Sequence, residues 1–146
     1  MRITKGYWIW GQFDEKTTKK IEQIKQQINE TFNGPDFDVH LTISGPFQDL
    51  TPEIKKLFKD LAKTIQQTKL ETQGYDFKEQ YFQAFFIKVK KSRQLLRLKE
   101  KIDAVFCLNT TEYFPHISLF YGEEGILKKS MFAETLTDAP KNIILN

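Results

Sequence analysis

Two short phrases constrain this chain more than anything else in it. His40-Leu41-Thr42 lies within Asp38 to Pro46, and His116-Ile117-Ser118 lies within Phe114 to Gly122. Each is a histidine, one apolar residue and a hydroxyl residue, in a run whose alternation predicts a β-strand closing on Gly. They hold the only 2 histidines of the chain. Side chains two apart on a strand point the same way. Each phrase therefore presents an imidazole and a hydroxyl on one face, and the fold has to deliver two such faces.

The surrounding pattern reads as the same order of elements twice. Gly6 to Trp10 predicts an aromatic strand. Asp14 is a plausible N-cap for a helix carrying Ile21, Ile24, Ile28 and Phe32, stopped by Asn33-Gly34-Pro35. Phe37 to Ser44 predicts the first histidine strand, with Phe37, Val39, Leu41 and Ile43 on one face and Asp38, His40, Thr42 and Ser44 on the other. Thr51-Pro52 opens an amphipathic helix with Ile54, Leu57, Phe58, Leu61, Ala62 and Ile65, and a strand follows near Leu70 to Phe77. Then Phe82 to Lys90 predicts a strand, Ser92 caps a helix with Leu95, Leu98, Ile102 and Val105, and Pro115 introduces the second histidine strand. A weaker helix over Ile126 to Leu136 and a strand over Asn142 to Leu145 close the chain. A duplication is the simple reading, and two lobes facing each other would bring both histidine faces to one cleft.

Composition narrows the classes. At 146 residues, 40% hydrophobic and 14% aromatic, the chain suits one domain or two small lobes with a shared core. No apolar stretch approaches membrane-spanning length, and Met1 to Gly6 lacks a signal-peptide core, so a cytoplasmic protein is expected. Cys107 is the lone cysteine, which excludes an internal disulfide and any cysteine-based metal site. A net charge of +3 is compatible with an anionic ligand and too small for a duplex-DNA-binding domain.

The residue types suit phosphate-ester chemistry without a metal. Hydrolysing a strained cyclic phosphodiester needs a base for water and an acid for the departing oxygen, and an imidazole of ordinary pKa about 6.5 fills either role. Charge grows on the non-bridging oxygens, where fixed donors such as Thr42 and Ser118 lower the barrier. The bland alternative is two half-buried structural histidines. It must account for both histidines having a hydroxyl two residues on. A zinc site is the other rival, but it needs a third ligand that neither phrase supplies at a convincing spacing, Asp38 being the nearest candidate.

Tyr7, Trp8, Trp10, Phe114, Phe120 and Tyr121 are core aromatics or base-stacking platforms. Tyr121, three residues beyond Ser118, either caps the core or offers its hydroxyl to phosphate. The basic run Lys88, Lys90, Lys91, Arg93, Arg97, Lys99 and Lys101 alternates with apolar positions on its helix, as a solvated face does.

On these motifs the chain resembles the 2H phosphoesterase superfamily, named for two His-x-(Thr/Ser) motifs. It is most similar to the cyclic phosphodiesterase-like branch, whose second motif reads Pro-His-(aliphatic)-Ser-Leu-x-Tyr-Gly, as Pro115 to Gly122 does. The aromatic opening Tyr7-Trp8-Ile9-Trp10 is also similar. The resemblance implies an α+β, bilobal duplicated fold, with two antiparallel sheets and flanking helices around a central cleft. It also implies metal-free catalysis, with no cofactor. His40, Thr42, His116 and Ser118 are the implied catalytic residues, and Tyr121 the implied substrate contact, with Tyr7, Trp8 and Trp10 as further substrate-binding candidates. Residues 1–146 would form one bilobal domain, its halves roughly 1–78 and 79–146 with strand exchange. Two features differ from the family pattern. Cysteines that plant members carry near the site are replaced here by Cys107 alone, and the chain ends soon after Ile143-Ile144-Leu145, implying an edge strand missing or supplied differently.

The expected activity is opening of a 2′,3′-cyclic nucleotide, or of ADP-ribose 1″,2″-cyclic phosphate, to a monoester. Alternatives are a 2′–5′ or cyclic-oligonucleotide phosphodiesterase and a non-catalytic nucleotide- or RNA-binding module. The expected partner is a small nucleotide or short oligonucleotide, with no duplex DNA, no membrane, and a monomeric chain.

Overall fold

Asp14, Thr51 and Ser92 each start a helix by the same device. Their side-chain oxygens accept from the backbone N–H three residues on, in Thr17 at 3.0 Å, Ile54 at 3.2 Å and Leu95 at 3.2 Å. The computed structural model describes residues 6–47, 49–108, 112–136 and 138–145. Residues 1–5, read above as lacking a signal-peptide core, lie outside them. The elements are β1 (Tyr7–Gly11), α1 (Glu15–Phe32), β2 (Leu41–Phe47), α2 (Pro52–Thr64), β3 (Thr68–Phe77), β4 (Phe85–Val89), α3 (Arg93–Val105), β5 (His116–Phe120), α4 (Ile126–Ala133) and β6 (Asn142–Leu145). Among these residues no helix is long and apolar enough to cross a membrane.

The architecture is α+β, with a two-stranded sheet β1-β2 and a four-stranded sheet β5-β4-β3-β6, antiparallel throughout. The histidine strands β2 and β5 are end strands. β3 pairs on one side with β4 and on the other with β6. β6 also touches the end of β1, through a bridge between Phe13 and Leu145 and the Asp14 N–H donating to Ile144 O at 3.0 Å. This approach requires Gly11, where a Cβ would lie 2.5 Å from the Leu145 side chain. The closing strand Asn142–Leu145 is thus paired, in register with Thr68 to Glu71.

The core is built from the helical stripes expected above. Ile21, Ile24, Ile28 and Phe32 of α1, and Leu95, Leu98 and Ile102 of α3, are buried against Leu41, Ile43, Phe85, Ile87, Ile117 and Leu119 of the strands. α2 is helical as expected but lies at the margin. Ile54, Phe58, Leu61 and Ile65 are partly buried against the core, while Leu57 is exposed.

Three features differ from expectation, each for an identifiable reason. β2 begins at Leu41, not Phe37, because carbonyls upstream serve side chains: Lys25 Nζ donates to Phe37 O, and His40 Nδ1 bonds Asp38 O. The segment expected to be strand from Phe82 opens instead with a 3₁₀ turn over Tyr81–Gln83. There the buried Lys129 of α4 donates to Lys78 O at 2.7 Å and Ala84 O at 3.0 Å, and Lys78 N–H donates back to Gln83 O at 3.1 Å. Lys99, read as part of a solvated basic face, is buried, donating to Ile43 O at 2.9 Å and pairing with Asp103 at 3.3 Å.

Candidate active site

Each histidine is aimed by its own backbone. His40 Nδ1 lies 2.7 Å from Asp38 O, and His116 Nδ1 lies 2.9 Å from Phe114 O. A carbonyl can only accept, so in both rings the neutral form carries its proton on Nδ1. Nε2 is left as the nitrogen that can take or give a proton. The two motifs use the same contact, with the carbonyl two residues upstream.

The strands add a second shared feature. Thr42 sits opposite Trp10 and Ser44 opposite Ile9, so β2 holds one residue more than β1 between these pairs, Ile43. Likewise Ser118 sits opposite Phe86 and Phe120 opposite Phe85, leaving Leu119 as the extra residue of β5. A β-bulge of this kind re-aims side chains and breaks the ladder. Both bulges fall immediately after the hydroxyl residue.

Aromatic rings hold the imidazoles. Trp10 stacks on His40 with centroids 3.7 Å apart and planes 13° apart. His116 lies against Phe114 at 5.3 Å and the edge of Phe86 at 5.2 Å. Phe37, before β2, stacks at 4.1 Å on Tyr121, which follows β5, so the mouths of the two motif strands meet. Burial raises the Tyr121 pKa, and the Ser118 side chain beside its hydroxyl lowers it.

Burial is the main cause that holds both imidazoles below their ordinary pKa, against the opposing effect of each Nδ1 bond to a carbonyl. The Lys25 ammonium and the His116 imidazole push His40 further down, while Asp38 pulls it up; Lys78 lowers His116. His116 thus acts electrostatically on His40, and the Phe37–Tyr121 stack joins the ends of the two motif strands. Among the described residues no three His, Cys, Asp or Glu side chains converge as a metal would require, and Asp38 acts on His40 through its backbone carbonyl.

Not every expected site residue lies at this centre. Tyr7 stacks on Phe47 at 5.7 Å, and Phe47 in turn on Phe106 of the core. Trp8 is about half exposed beside Gly45, whose φ of +128° suits glycine and whose hypothetical Cβ would meet the Trp8 ring. Trp10 is on His40 and also 48% exposed.

Several residues escaped the motif reading. Phe37 faces Tyr121 instead of simply the core, Phe86 flanks His116, and Lys78 sits 4.7 Å over the Phe114 ring. Tyr113 donates its hydroxyl to Thr42 O at 2.7 Å. Two buried lysines did leave a signal. Ile21-x-x-Ile24-Lys25-x-x-Ile28 in α1 and Leu95-x-x-Leu98-Lys99-x-x-Ile102 in α3 are the same phrase, with lysine inside the apolar stripe.

Residues 13–141 match the family model described as the 2′-5′ RNA ligase superfamily. The chain belongs to the 2′-5′ RNA ligase superfamily. These are the 2H phosphoesterases of the two-motif pattern. Among its relatives, a cyclic phosphodiesterase of Arabidopsis thaliana is 25% identical over 118 residues, covering 80% of this chain and 65% of that protein. The chain thus matches somewhat less than two thirds of that relative's length. A crystal structure of a phosphoesterase has the same fold, with a TM-score of 0.59 at 16% identity, over 97% of this chain and 84% of the other.

Proposed function

We propose that this superfamily member is a metal-independent cyclic phosphodiesterase, opening a 2′,3′-cyclic nucleotide or ADP-ribose 1″,2″-cyclic phosphate to a monoester. The observation that carries the reading is the matched pair of imidazoles, each with Nδ1 committed to a carbonyl, which leaves Nε2 to titrate, and each followed two residues on by a hydroxyl residue. One neutral Nε2 accepts a proton from water as its oxygen attacks phosphorus. The other imidazole, protonated, gives its Nε2 proton to the ester oxygen that leaves as the P–O bond breaks. Thr42 and Ser118 donate to the non-bridging oxygens, where negative charge grows. Tyr121, beside Ser118, orients that hydroxyl and borders the substrate.

In this reading residues 1–146 act as one bilobal monomeric unit in the cytoplasm. Its halves, roughly 1–78 and 79–146, exchange a strand, and the pairing of β3 with β4 supports the exchange. A small nucleotide is the substrate. One observation favours the 2′–5′ or cyclic-oligonucleotide alternative: Trp10 on His40 and Phe114 on His116 are 48% and 43% exposed, leaving ring surface on which bases could stack. A non-catalytic module would not need two oriented titratable rings.

The test is turnover of 2′,3′-cyclic nucleotides, ADP-ribose 1″,2″-cyclic phosphate and 2′–5′ oligoadenylate by one chelator-treated preparation, each below saturation. Higher kcat/KM for a cyclic phosphate is expected, unchanged by chelation. Preference for the oligonucleotide moves the assignment to the alternative, and no turnover of any substrate rejects a catalytic reading.

A further inference from the structure

Two adjacent peptide oxygens at the bulge in β2, of Thr42 and Ile43, accept from side chains. Lys99 Nζ donates to Ile43 O at 2.9 Å, and Tyr113 Oη donates to Thr42 O at 2.7 Å. The two donors also touch each other, with the ammonium 4.9 Å from the Tyr113 ring centroid. Asp103, 1% exposed, pairs with the same ammonium at 3.3 Å. Burial, reinforced by the Asp103 charge, raises the Tyr113 pKa, so the phenol stays protonated and remains a donor at any pH at which the protein works. None of these groups belongs to the acid, base or oxyanion set.

The connectivity matters as much as the distances. Tyr113 stands three residues before His116, on the segment that supplies Phe114 O to His116 Nδ1. Its hydroxyl therefore ties the approach of the second motif to the hydroxyl-bearing residue of the first. Lys99 reaches the next peptide from α3. The two peptide units that flank Ile43 are thus each held by a side-chain donor, and the first of them fixes the backbone from which the Thr42 side chain projects.

We infer that Tyr113, braced by the Lys99–Asp103 pair, is a positioning residue that sets the Thr42 hydroxyl against the phosphate by holding the Thr42 carbonyl at the β2 bulge. The inference rests on the proposed phosphodiesterase reading. It acts on the chemical step, because Thr42 is asked to donate where charge develops, and placement errors of about 1 Å at such a donor cost up to about 100-fold.

The test is a pair of double-mutant cycles on a 2′,3′-cyclic nucleotide, with kcat and KM measured separately. Tyr113→Phe removes one oxygen and should lower kcat about tenfold, with KM changed less than about twofold. Thr42→Val should abolish that effect, so that Thr42→Val/Tyr113→Phe is no slower than Thr42→Val alone. Ser118→Ala and Tyr113→Phe should instead multiply. Lys99→Met/Asp103→Leu, which replaces the buried pair by apolar groups of similar size, should show the same dependence on Thr42. Losses that multiply in both cycles overturn the positioning role, as does an effect confined to KM. Wild-type inactivity on every cyclic phosphate overturns the proposed function and the positioning role together, whereas multiplying losses in an active protein overturn the positioning role alone.

Discussion

The His40 and His116 halves of the site solve one problem with different materials. Their common part is small: Nδ1 on the carbonyl two residues upstream, a hydroxyl two residues downstream, and an extra strand residue after that hydroxyl. Everything around it differs. His40 is buried under Trp10, and its segment is tied by side chains from elsewhere: Lys25 on Phe37 O, Lys99 on Ile43 O and Tyr113 on Thr42 O. His116 is only half-buried between Phe114 and Phe86, and its hydroxyl partner lies beside Tyr121, from the residues that follow it. The paired lysines of α1 and α3 both serve the first motif. What the halves share is what the two proposed proton transfers require; the rest differs.

The largest expected effect treats the halves as equals. His40→Ala and His116→Ala should each lower turnover of a 2′,3′-cyclic nucleotide by at least about 100-fold, the scale of a lost general acid or base. Near-normal rates in one folded variant would leave a one-histidine site and end the symmetry. Next come the hydroxyls, where Thr42→Val and Ser118→Ala should depress kcat by roughly 10- to 1,000-fold. A change in KM alone would make them ground-state contacts.

The two halves should separate at Tyr121. Tyr121→Phe removes the hydroxyl beside Ser118 and should slow turnover by up to about tenfold, the scale of one neutral hydrogen bond. In a Ser118→Ala background it should add almost nothing, whereas with Thr42→Val the losses should multiply. Equal behaviour in both backgrounds would remove the distinction between a motif held by its own following residue and one held from outside.

The smallest effect is in pH. Both imidazoles lie below 6.5 in the free protein, and the reactive form needs one neutral and one charged. The bell in kcat/KM should therefore peak below pH 6.5 and fall as pH rises and the doubly neutral form accumulates. A negatively charged substrate favours imidazolium, so the kcat profile should lie at higher pH. Trp10→Ala exposes His40, relieves its desolvation and should move one limb upward by a fraction of a pH unit, leaving the His116 limb in place. A kcat/KM maximum above pH 7 would contradict burial as the controlling cause.

Much of this was legible in the amino-acid order, and the exceptions have physical reasons. Asp14, Thr51 and Ser92 declare their helices because a capping oxygen three residues before an N–H is a local device. His40 with Thr42 and His116 with Ser118 stand out because the same phrase occurs twice, and each imidazole bonds the carbonyl two residues upstream. Alternation does not name a neighbour, so nothing local says that β3 pairs with β4 and β6. Lys25 and Lys99 sit inside apolar stripes, where a long side chain ordinarily reaches out to water; here each bends to a carbonyl that exists only once β2 has formed its irregular start and its bulge. The turn at Tyr81–Gln83 likewise depends on Lys129 arriving from α4.

The extra residues Ile43 and Leu119 make the two histidine strands indifferent to some changes and intolerant of others. Another apolar side chain of similar volume at either place keeps the offset between each strand and its neighbour. Removing the residue does not: Thr42 and Ser44, or Ser118 and Phe120, then follow one another opposite consecutive partner residues, the ladder becomes regular, and the bend and extra twist beside the hydroxyl are lost. In these stretches it is the number of residues after each hydroxyl, more than their identity, that the chemistry depends on.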